Sequence, residues 1–517
     1  MNASLDSATN DPSDSLEFRI ADRAIGYIVR PPRADDDVIN FDTPDGLLAS
    51  FAEAVGIPLE PGEAAAADED VLRAVDLVIK HSVHTSHPRF LNQNFAGPDP
   101  ISVVGDWLGA ALNTTGATFE AAPVFTLMEG AVLDRLGRIA GYVTDEPATP
   151  NDRVPSLPPG LFCPGGSTAT LYALQLARHR RQPDMVRKGA APERLVLFVS
   201  DTGHYAAVKS AALLGLGMDA VIKVATDEGG AIIPAALDDA VAAARAAGDA
   251  PFAVIGTAGT TVTSAFDDLN ALADICERES MWLHVDGCWG GSALFSPKHA
   301  HLLDGVERSD SFVWNLHKMM GMTQQCTVLL VKDPHQLAPC FATGANYIFQ
   351  PDKQHGEFDS GDRTFQCARR IDVLKLWLSW KARGDEAFAA RIDHAKAMAD
   401  HARTRINGSD EFAMVVGGTF TNVVFVWVPP ELRPADVGAL DDSTRDRIHR
   451  MAPKIKARMQ REGTAMVGFQ PVQGINTFRL LFMNTNVTAE DVDAVLDVIA
   501  EYGADAWAAV NDSHTAG

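Results

Sequence analysis

The middle of the chain alternates between short apolar runs and amphipathic segments. Continuous apolar runs, typical of buried strands, occupy residues 195–200, 220–224, 252–256, 281–285, 311–314 and 327–331. Helical spacing separates several of these runs, for example at residues 234–247 and 267–278. Short apolar strands that alternate with helices predict a mainly parallel sheet covered by helices on both faces.

The two ends of the chain carry different patterns. Residues 68–82 and 106–112 have helical spacing, whereas the first fifteen or so residues and the final VNDSHTAG are predicted to be loose. From Gly384 a long helical segment is followed by the strand-like runs FTNVVFVWV and FRLLFMN, and then by a helix at residues 489–502. We therefore expect an N-terminal helical segment (1–115), a large domain (116–380) and a small C-terminal α+β domain (381–517).

Charge and cysteine content exclude several classes of protein. A formal net charge of -24 over 517 residues argues against a nucleic-acid-binding surface and against attraction to anionic membranes. The longest apolar runs are too short for a membrane span, and the acidic N-terminus does not resemble a signal peptide. The six cysteines show no CxxC spacing, so we expect neither a structural metal nor disulfides, and a cytoplasmic location.

Polar residues that directly follow a strand are the first candidates for a functional site, because ligands of such sheets bind outside the carboxyl ends of the strands. The sequence places one or more such residues after each of four predicted strands. They are His204, then Thr260 and Thr261, then Asp286, and finally Asn315, His317 and Lys318.

A glycine pair and a serine stand directly before a predicted helix in FCPGGSTATLYALQLARH. Exposed backbone N–H groups and the helix dipole at Gly165, Gly166 and Ser167 favour an anion such as a phosphate. The same three residues are equally an ordinary helix cap and turn. The motif by itself therefore does not decide between the two interpretations.

The combination of these residues is more specific than any one of them. A phosphate site, an imidazole for ring stacking, a carboxylate and an amine at successive strand ends match the requirements of pyridoxal 5'-phosphate. Lys318 would form the Schiff base with its aldehyde, and Asp286 would pair with the ring nitrogen. Taken singly, Asp286 could be a helix cap, His204 a core histidine and Lys318 a surface lysine at a strand end.

Several motifs also resemble a known family, the group II pyridoxal-phosphate amino-acid decarboxylases, and most of all its glutamate and cysteine-sulfinate branch. They are FCPGGSTATL, HVDGCWGG, NLHKMMG, HPRFLNQ, APVFTLME, FQPDKQ and GFQP, and the similarity runs from about residue 87 to residue 502. The resemblance implies fold type I, an α/β fold with a mainly parallel seven-stranded sheet. It also implies pyridoxal 5'-phosphate as cofactor and a homodimer with active sites at the subunit interface.

The resemblance gives each matching residue a role. Lys318 would carry the cofactor, Asp286 would pair with the ring nitrogen, His204 would stack on the ring, and Thr261 would lie near the phenolic oxygen. The phosphate would be held by Gly165, Gly166, Ser167, Asn315 and His317.

Three further residues are implied on the substrate side. Tyr347 matches a loop tyrosine that protonates the substrate carbon, although from the sequence alone it is better explained as a loop residue that packs on the dimer. Gln93 matches a substrate-pocket glutamine, and Arg479 matches an arginine that receives a substrate carboxylate. Because Arg479 lies in an apolar strand it needs an anionic partner, which could instead be a carboxylate of the protein.

The chain departs from the family pattern at four positions. Leu316 replaces the proline of NPHK, and Gly287 and Cys288 replace the two alanines of HVDAAWGG, with Cys288 expected to pack under the ring. Phe119 replaces a substrate-side tyrosine of the glutamate branch, which weakens any transfer of substrate identity.

These observations predict an enzyme that releases the α-carboxylate of an L-amino acid as CO2 and forms an amine. An acidic substrate such as glutamate, aspartate or cysteine sulfinate is favoured by Gln93 and Arg479, whereas Phe119 favours an aromatic or aliphatic one. An aminotransferase of the same fold and a non-catalytic dimer are the remaining alternatives. The second predicts loss of Lys318 or Asp286, and both residues are present.

Overall fold

The N-terminal part of the chain is mainly helical. The structure is a computed structural model that describes residues 11–189, 193–345, 350 and 352–515. In this part lie α1 (Leu16–Val29), α2 (Pro44–Ala52), α3 (Asp68–His81), the short strand β1 (Phe90–Leu91) and α4 (Pro100–Leu112). No helix in the described ranges combines the length and the apolar character that a membrane crossing requires.

The central part of the chain alternates strands and helices, as the apolar runs predicted. Its elements are α5 (Pro123–Ile139), β2 (Gly160–Cys163), α6 (Gly166–Arg181), α7 (Met185–Lys188), β3 (Leu195–Ser200), α8 (Ala206–Leu213), β4 (Val221–Val224), α9 (Pro234–Ala246), β5 (Ala250–Thr257), α10 (Leu269–Glu279), β6 (Trp282–Asp286), β7 (Ser311–Asn315), β8 (Thr327–Val331), α11 (Leu337–Phe341) and α12 (Val373–Asn407).

These strands form one seven-stranded sheet in the order β2-β8-β7-β6-β5-β3-β4. The strands from β7 to β4 are parallel to their neighbours, while β8 is antiparallel to both β7 and β2. Strands β3, β7 and β8 are buried along their whole length, as expected for a sheet with helices on both faces. The predicted mainly parallel, seven-stranded α/β fold is thus confirmed.

A second, smaller sheet lies in the C-terminal part. Its elements are β9 (Phe412–Val416), β10 (Asn422–Trp427), α13 (Asp442–His449), α14 (Met451–Glu462), β11 (Met466–Val472), β12 (Ile475–Leu481) and α15 (Ala489–Thr515). The strand order is β1-β11-β12-β10-β9, so the N-terminal segment contributes an edge strand to this sheet. The boundaries at residues 115 and 380 stay a prediction.

Three predicted helix boundaries differ from the structure by more than about five residues. The helix α4 begins at Pro100 rather than residue 106, because the Asp99 side chain accepts a hydrogen bond from the Ile101 N–H and caps it. The long helix α12 begins at Val373 and is only interrupted at Gly384, whose φ of 77° is left-handed. The last helix continues to Thr515 instead of ending at residue 502, since Trp507 and Val510 are buried in the main hydrophobic core.

Candidate active site

Four of the predicted site residues follow four adjacent strands of the large sheet. Lys318 comes after β7, Asp286 ends β6, Thr261 follows β5 and His204 follows β3, and these strands are neighbours in that order. The carboxyl ends of parallel strands lie at the same edge of a sheet, so the four residues lie along that edge. The polar residues found from strand ends are therefore brought together.

Asp286, Lys318 and His204 are electrostatically coupled. Burial raises the pKa of the Asp286 carboxyl, but the Lys318 ammonium, Cys288 and His204 lower it by more, so the net pKa lies below its usual value. The Asp286 Oδ1 also accepts a hydrogen bond of 3.0 Å from the Cys288 N–H. Burial lowers the pKa of the His204 imidazole, so a neutral ring stands beside an ionised carboxylate.

The first turn of α6, with Gly165 and Gly166, forms a cradle for a phosphate, and no side chain larger than that of glycine fits at Gly166. Gly165 has a φ of 94° and caps the helix without a side chain. A Cβ on Gly166 would lie 2.5 Å from the Cys288 Sγ and 3.0 Å from the Asn315 Nδ2. The first turn of α6 therefore packs closely against Cys288 and the amide of Asn315, and its N–H groups offer donors to an anion.

Asn315 and His317 are fixed by their neighbours on β8 and the loop before it. The Thr327 hydroxyl donates to the Asn315 Oδ1 at 2.9 Å, which holds the Asn315 amide beside the start of α6. The His317 Nδ1 lies 3.0 Å from the Cys326 carbonyl oxygen. Burial lowers the pKa of His317 to about 4, so this ring is neutral near pH 7.

Three residues that depart from the family pattern, Gly287, Leu316 and Cys288, are closely packed. A Cβ on Gly287 would lie 2.2 Å from the Phe312 ring, so glycine is needed where Phe312 packs. Leu316 is completely buried in the main core. Cys288 lies between Asp286 and the start of α6, and burial raises the pKa of its thiol well above the usual value, so the thiol stays neutral.

Arg479 has no carboxylate partner among the described residues. Its side chain is 9% exposed, and its two terminal nitrogens donate to the backbone carbonyls of Thr261 at 2.9 Å and Asn92 at 2.8 Å. The Nε of Arg479 and the Nε2 of Gln470 are buried, without a hydrogen-bond partner in the described part of the chain. The ladder register puts both side chains on the same face of the small sheet. The expected alternative, a carboxylate of the protein, is not found there.

The structure shows no contact that joins the other predicted substrate residues, Gln93 and Phe119, to Arg479 within the described part of the chain. Gln93 is exposed next to Asn92. Phe119 contacts the rings of His355 and Phe358, at centroid distances of 5.2 and 5.6 Å, and its N–H donates to the Asp359 carboxylate. Tyr347 lies outside the described residues.

Three polar residues near Arg479 were not predicted from the sequence. Asn92 accepts from Arg479 through its carbonyl and from the Lys456 ammonium through its Oδ1 at 3.3 Å, and Asn422 donates to the Thr261 carbonyl at 2.9 Å. Asn92 stands next to Gln93 in HPRFLNQ and could have been suspected. No local signal distinguishes Lys456 from the other basic residues of its helix.

Comparisons with known proteins identify the family of this chain. Residues 54–428 match the family model described as the pyridoxal-dependent decarboxylase conserved domain. The chain is 42% identical to the human cysteine sulfinic acid decarboxylase over 442 residues, which cover 84% of this chain and 86% of that protein. The rat protein of the same name is 42% identical over 441 residues, with the same coverage of both chains.

Solved structures share the fold along almost the whole chain. The crystal structure of mouse CSAD superposes with a TM-score of 0.88 at 38% identity, and the match covers 96% of this chain and 100% of that one. A crystal structure of Oryza sativa TDC with PLP and tryptamine superposes with a TM-score of 0.82 at 25% identity, covering 97% and 100% of the two chains.

The residues at this edge fit pyridoxal 5'-phosphate, the cofactor of the matching family. The first turn of α6 and the Asn315 amide offer donors to a phosphate. The Asp286 carboxylate suits a protonated ring nitrogen, and the Lys318 amine suits an aldehyde. Cofactor-binding roles for the individual residues remain predictions, which the two variants below test.

Gly166→Ala is expected to weaken binding of pyridoxal 5'-phosphate at least about fivefold, because overpacking against the Cys288 sulfur disturbs the cradle. Equilibrium titration of the cofactor by absorbance measures this. Adding Cys288→Ala in the same chain removes the sulfur and should restore part of the affinity. The control is Gly417→Ala, where a Cβ meets nothing within 4 Å. Unchanged affinity in Gly166→Ala would contradict the assignment of the cradle.

Asp286→Asn is expected to reduce turnover by orders of magnitude while circular dichroism shows an intact fold. The variant removes the anion that faces Lys318 and would hold a proton on the ring nitrogen. Turnover and the absorbance spectrum of the bound cofactor are the measurements. Asp201→Asn, at an exposed carboxylate directly after β3, is the matched control and should behave like the wild type. Near-normal turnover of Asp286→Asn would refute its role.

Proposed function

The chain belongs to the pyridoxal-dependent decarboxylase family, and from this premise we propose that its substrate is an acidic L-amino acid, with cysteine sulfinate the first candidate. The observation that carries the proposal is Arg479, a guanidinium buried without a carboxylate partner among the described residues. A buried charge of this kind is stabilised by an anionic ligand. The 42% identity to cysteine sulfinic acid decarboxylases supports the same substrate class.

Binding of the cofactor is the role proposed for Lys318. When bound, pyridoxal 5'-phosphate supplies an aldehyde for the substrate amine and a ring that withdraws electrons from the α-carbon. The Lys318 amine would hold the cofactor through this aldehyde. Its position directly after β7, in a turn where the Lys318 N–H donates to the Asn315 carbonyl, keeps it at the edge of the sheet.

Asp286 and His204 prepare the site for this chemistry. The pKa of Asp286 is lowered mainly by Lys318 against the effect of burial, so the carboxylate is ionised and can hold a proton on the ring nitrogen. The neutral His204 ring supplies a flat surface for stacking. Both follow strands that are fixed within the sheet, so the two groups are positioned before any ligand binds.

Substrate orientation and protonation complete the proposal. Arg479 would receive a carboxylate or sulfinate of the substrate and thereby orient the α-carboxylate that is lost. Tyr347 would return a proton to the α-carbon as a general acid, with Gln93 and Phe119 bordering the substrate. The family assignment decides against the aminotransferase and the non-catalytic dimer.

Decarboxylation of aromatic amino acids is the second candidate, because Phe119 lies against Phe358 and His355 instead of offering a hydroxyl. An apolar pocket would leave Arg479 for the α-carboxylate alone. The two candidates differ in the side chain that they accept, so a single assay separates them.

A panel of L-amino acids assayed for CO2 release tests the function directly. We expect the highest kcat/KM with acidic substrates and little release from aromatic ones. Lys318→Ala should lose both activity and the covalently held cofactor, which borohydride would otherwise fix to the protein. The highest kcat/KM with an aromatic substrate would favour the second candidate, and borohydride fixation in Lys318→Ala would refute the role of that lysine.

We also propose that the protein is located in a reducing compartment such as the cytoplasm.

We further propose that two chains form a homodimer with active sites at the subunit interface. The helix α4 packs on α12 through Gly105, and it exposes an apolar stripe consisting of Val104, Trp107, Leu108 and Leu112. The helix α1 contains no buried residue and exposes Phe18, Ile25 and Val29. A groove of about 960 Å³ beside α1 and α4 is lined by Ile20, Tyr27, Val75, Ile79 and Trp107. Such continuous apolar surface is typical of an interface between subunits.

Trp107→Glu is expected to shift the protein from dimer toward monomer, because it puts a charge in the middle of the α4 stripe. Sedimentation velocity over a range of protein concentrations measures the change. Leu59→Glu is the control, since Leu59 is 93% exposed in a loop of the same N-terminal segment. If the wild type is a monomer at all concentrations, the dimer proposal is wrong.

A further inference from the structure

The surroundings of Arg479 contain a second cation. We infer that Lys456, held through Asn92, is a specificity-determining residue that supplies a second positive charge to the subsite for the substrate's acidic side chain. This inference rests on the proposed function. It concerns a residue of α14 in the small domain, outside every motif that identified the cofactor site.

Asn92 joins the two cations. Its backbone carbonyl accepts from the Arg479 guanidinium at 2.8 Å, and its side-chain Oδ1 accepts from the Lys456 ammonium at 3.3 Å. Asn92 itself is 7% exposed and uncharged. The two positive charges therefore stand on either side of one neutral residue, at the end of the edge strand β1.

Lys456 reaches this position along the edge of the small sheet. Its ammonium lies 5.5 Å from the centre of the Phe469 ring, and Phe469 belongs to β11, the strand next to β1. Gly468, which precedes Phe469, pairs with Arg479 across the ladder, and a Cβ there would lie 3.3 Å from the Arg479 Nε. Phe469 alternates with Gly468 along β11 and so faces the side of the sheet opposite Arg479, and Asn92 links the Lys456 ammonium to the Arg479 guanidinium.

No carboxylate compensates the two charges within the described part of the chain. Arg479 donates only to carbonyls and Lys456 to an amide oxygen. Burial lowers the pKa of Lys456, and Arg479 lowers it further by repulsion. Burial likewise lowers the pKa of Arg479. An anion that binds near two like charges of this kind stabilises both of them.

An acidic substrate side chain is the ligand that this arrangement suits. A carboxylate or sulfinate bound to Arg479 would also be attracted by Lys456, whereas an aromatic or aliphatic side chain would gain nothing from it. Lys456 would therefore raise the affinity for acidic substrates selectively. Because the ammonium is only partly buried, we expect an effect of about three- to tenfold in affinity.

The test uses substitutions that separate the charge of Lys456 from its hydrogen bond to Asn92. Lys456→Met removes both, Lys456→Gln keeps a donor without the charge, and Lys456→Arg keeps the charge. Lys454→Met is the matched control, since Lys454 is exposed on the same helix. All are assayed as purified holoenzymes for KM and kcat with the best acidic substrate. Binding of succinate, which has no amine and cannot react, is measured by calorimetry.

We expect the Met and Gln variants to raise KM and the succinate dissociation constant about three- to tenfold with kcat little changed. Lys456→Arg and Lys454→Met should resemble the wild type. The difference should also shrink at about 1 M salt, where the Debye length falls to about 3 Å. A merely structural lysine would give no rescue by arginine and no dependence on salt.

Two failures are distinguishable. If the wild type decarboxylates an acidic amino acid, and Lys456→Met and Lys456→Gln keep its KM and succinate affinity, the inference about Lys456 is overturned while the proposed function stands. If the wild type decarboxylates no acidic amino acid, the proposed function fails, and the inference fails with it.

Discussion

The backbone carbonyl of Thr261 accepts hydrogen bonds from two side chains of the small sheet, Arg479 and Asn422, both at 2.9 Å. Thr261 belongs to the loop that follows β5 at the edge where the cofactor residues gather. This contact therefore fixes the distance between the cofactor site on the large sheet and the cation on the small sheet. Because each buried donor would be costly without its acceptor, the two sheets have little freedom to separate.

The cofactor edge itself depends on close approach between backbone and side chains. Gly166 lets the start of α6 reach Cys288 and Asn315, and Gly287 lets Phe312 pack beneath the same edge. Both glycines are required by space, since in each case a Cβ would overlap a neighbouring side chain. The cradle for a phosphate and the carboxylate for a ring nitrogen are thus held by the same few residues.

An acidic protein that binds an acidic substrate needs local positive charge. The net charge of -24 is spread over the whole chain, and at physiological ionic strength charges interact over only about 8 Å. Among the described residues, neither Arg479 nor Lys456 has a carboxylate partner. Both therefore contribute positive electrostatic potential near Asn92. The acidic surface contributes little at that distance.

The sequence by itself determined the order of strands and helices, and it predicted which edge of the large sheet would hold the cofactor. Residues 195–200 and 327–331 agree with β3 and β8 at both ends, because strands that are buried on both faces are continuous apolar runs. His204, Asp286 and Lys318 were found because polar residues after such strands must share one edge. Only the tertiary structure decided that β1 joins the small sheet, that Arg479 is bonded to two carbonyls, and that Lys456 stands beside it. These contacts join residues hundreds of positions apart, and no local pattern of spacing or composition carries information about such pairs.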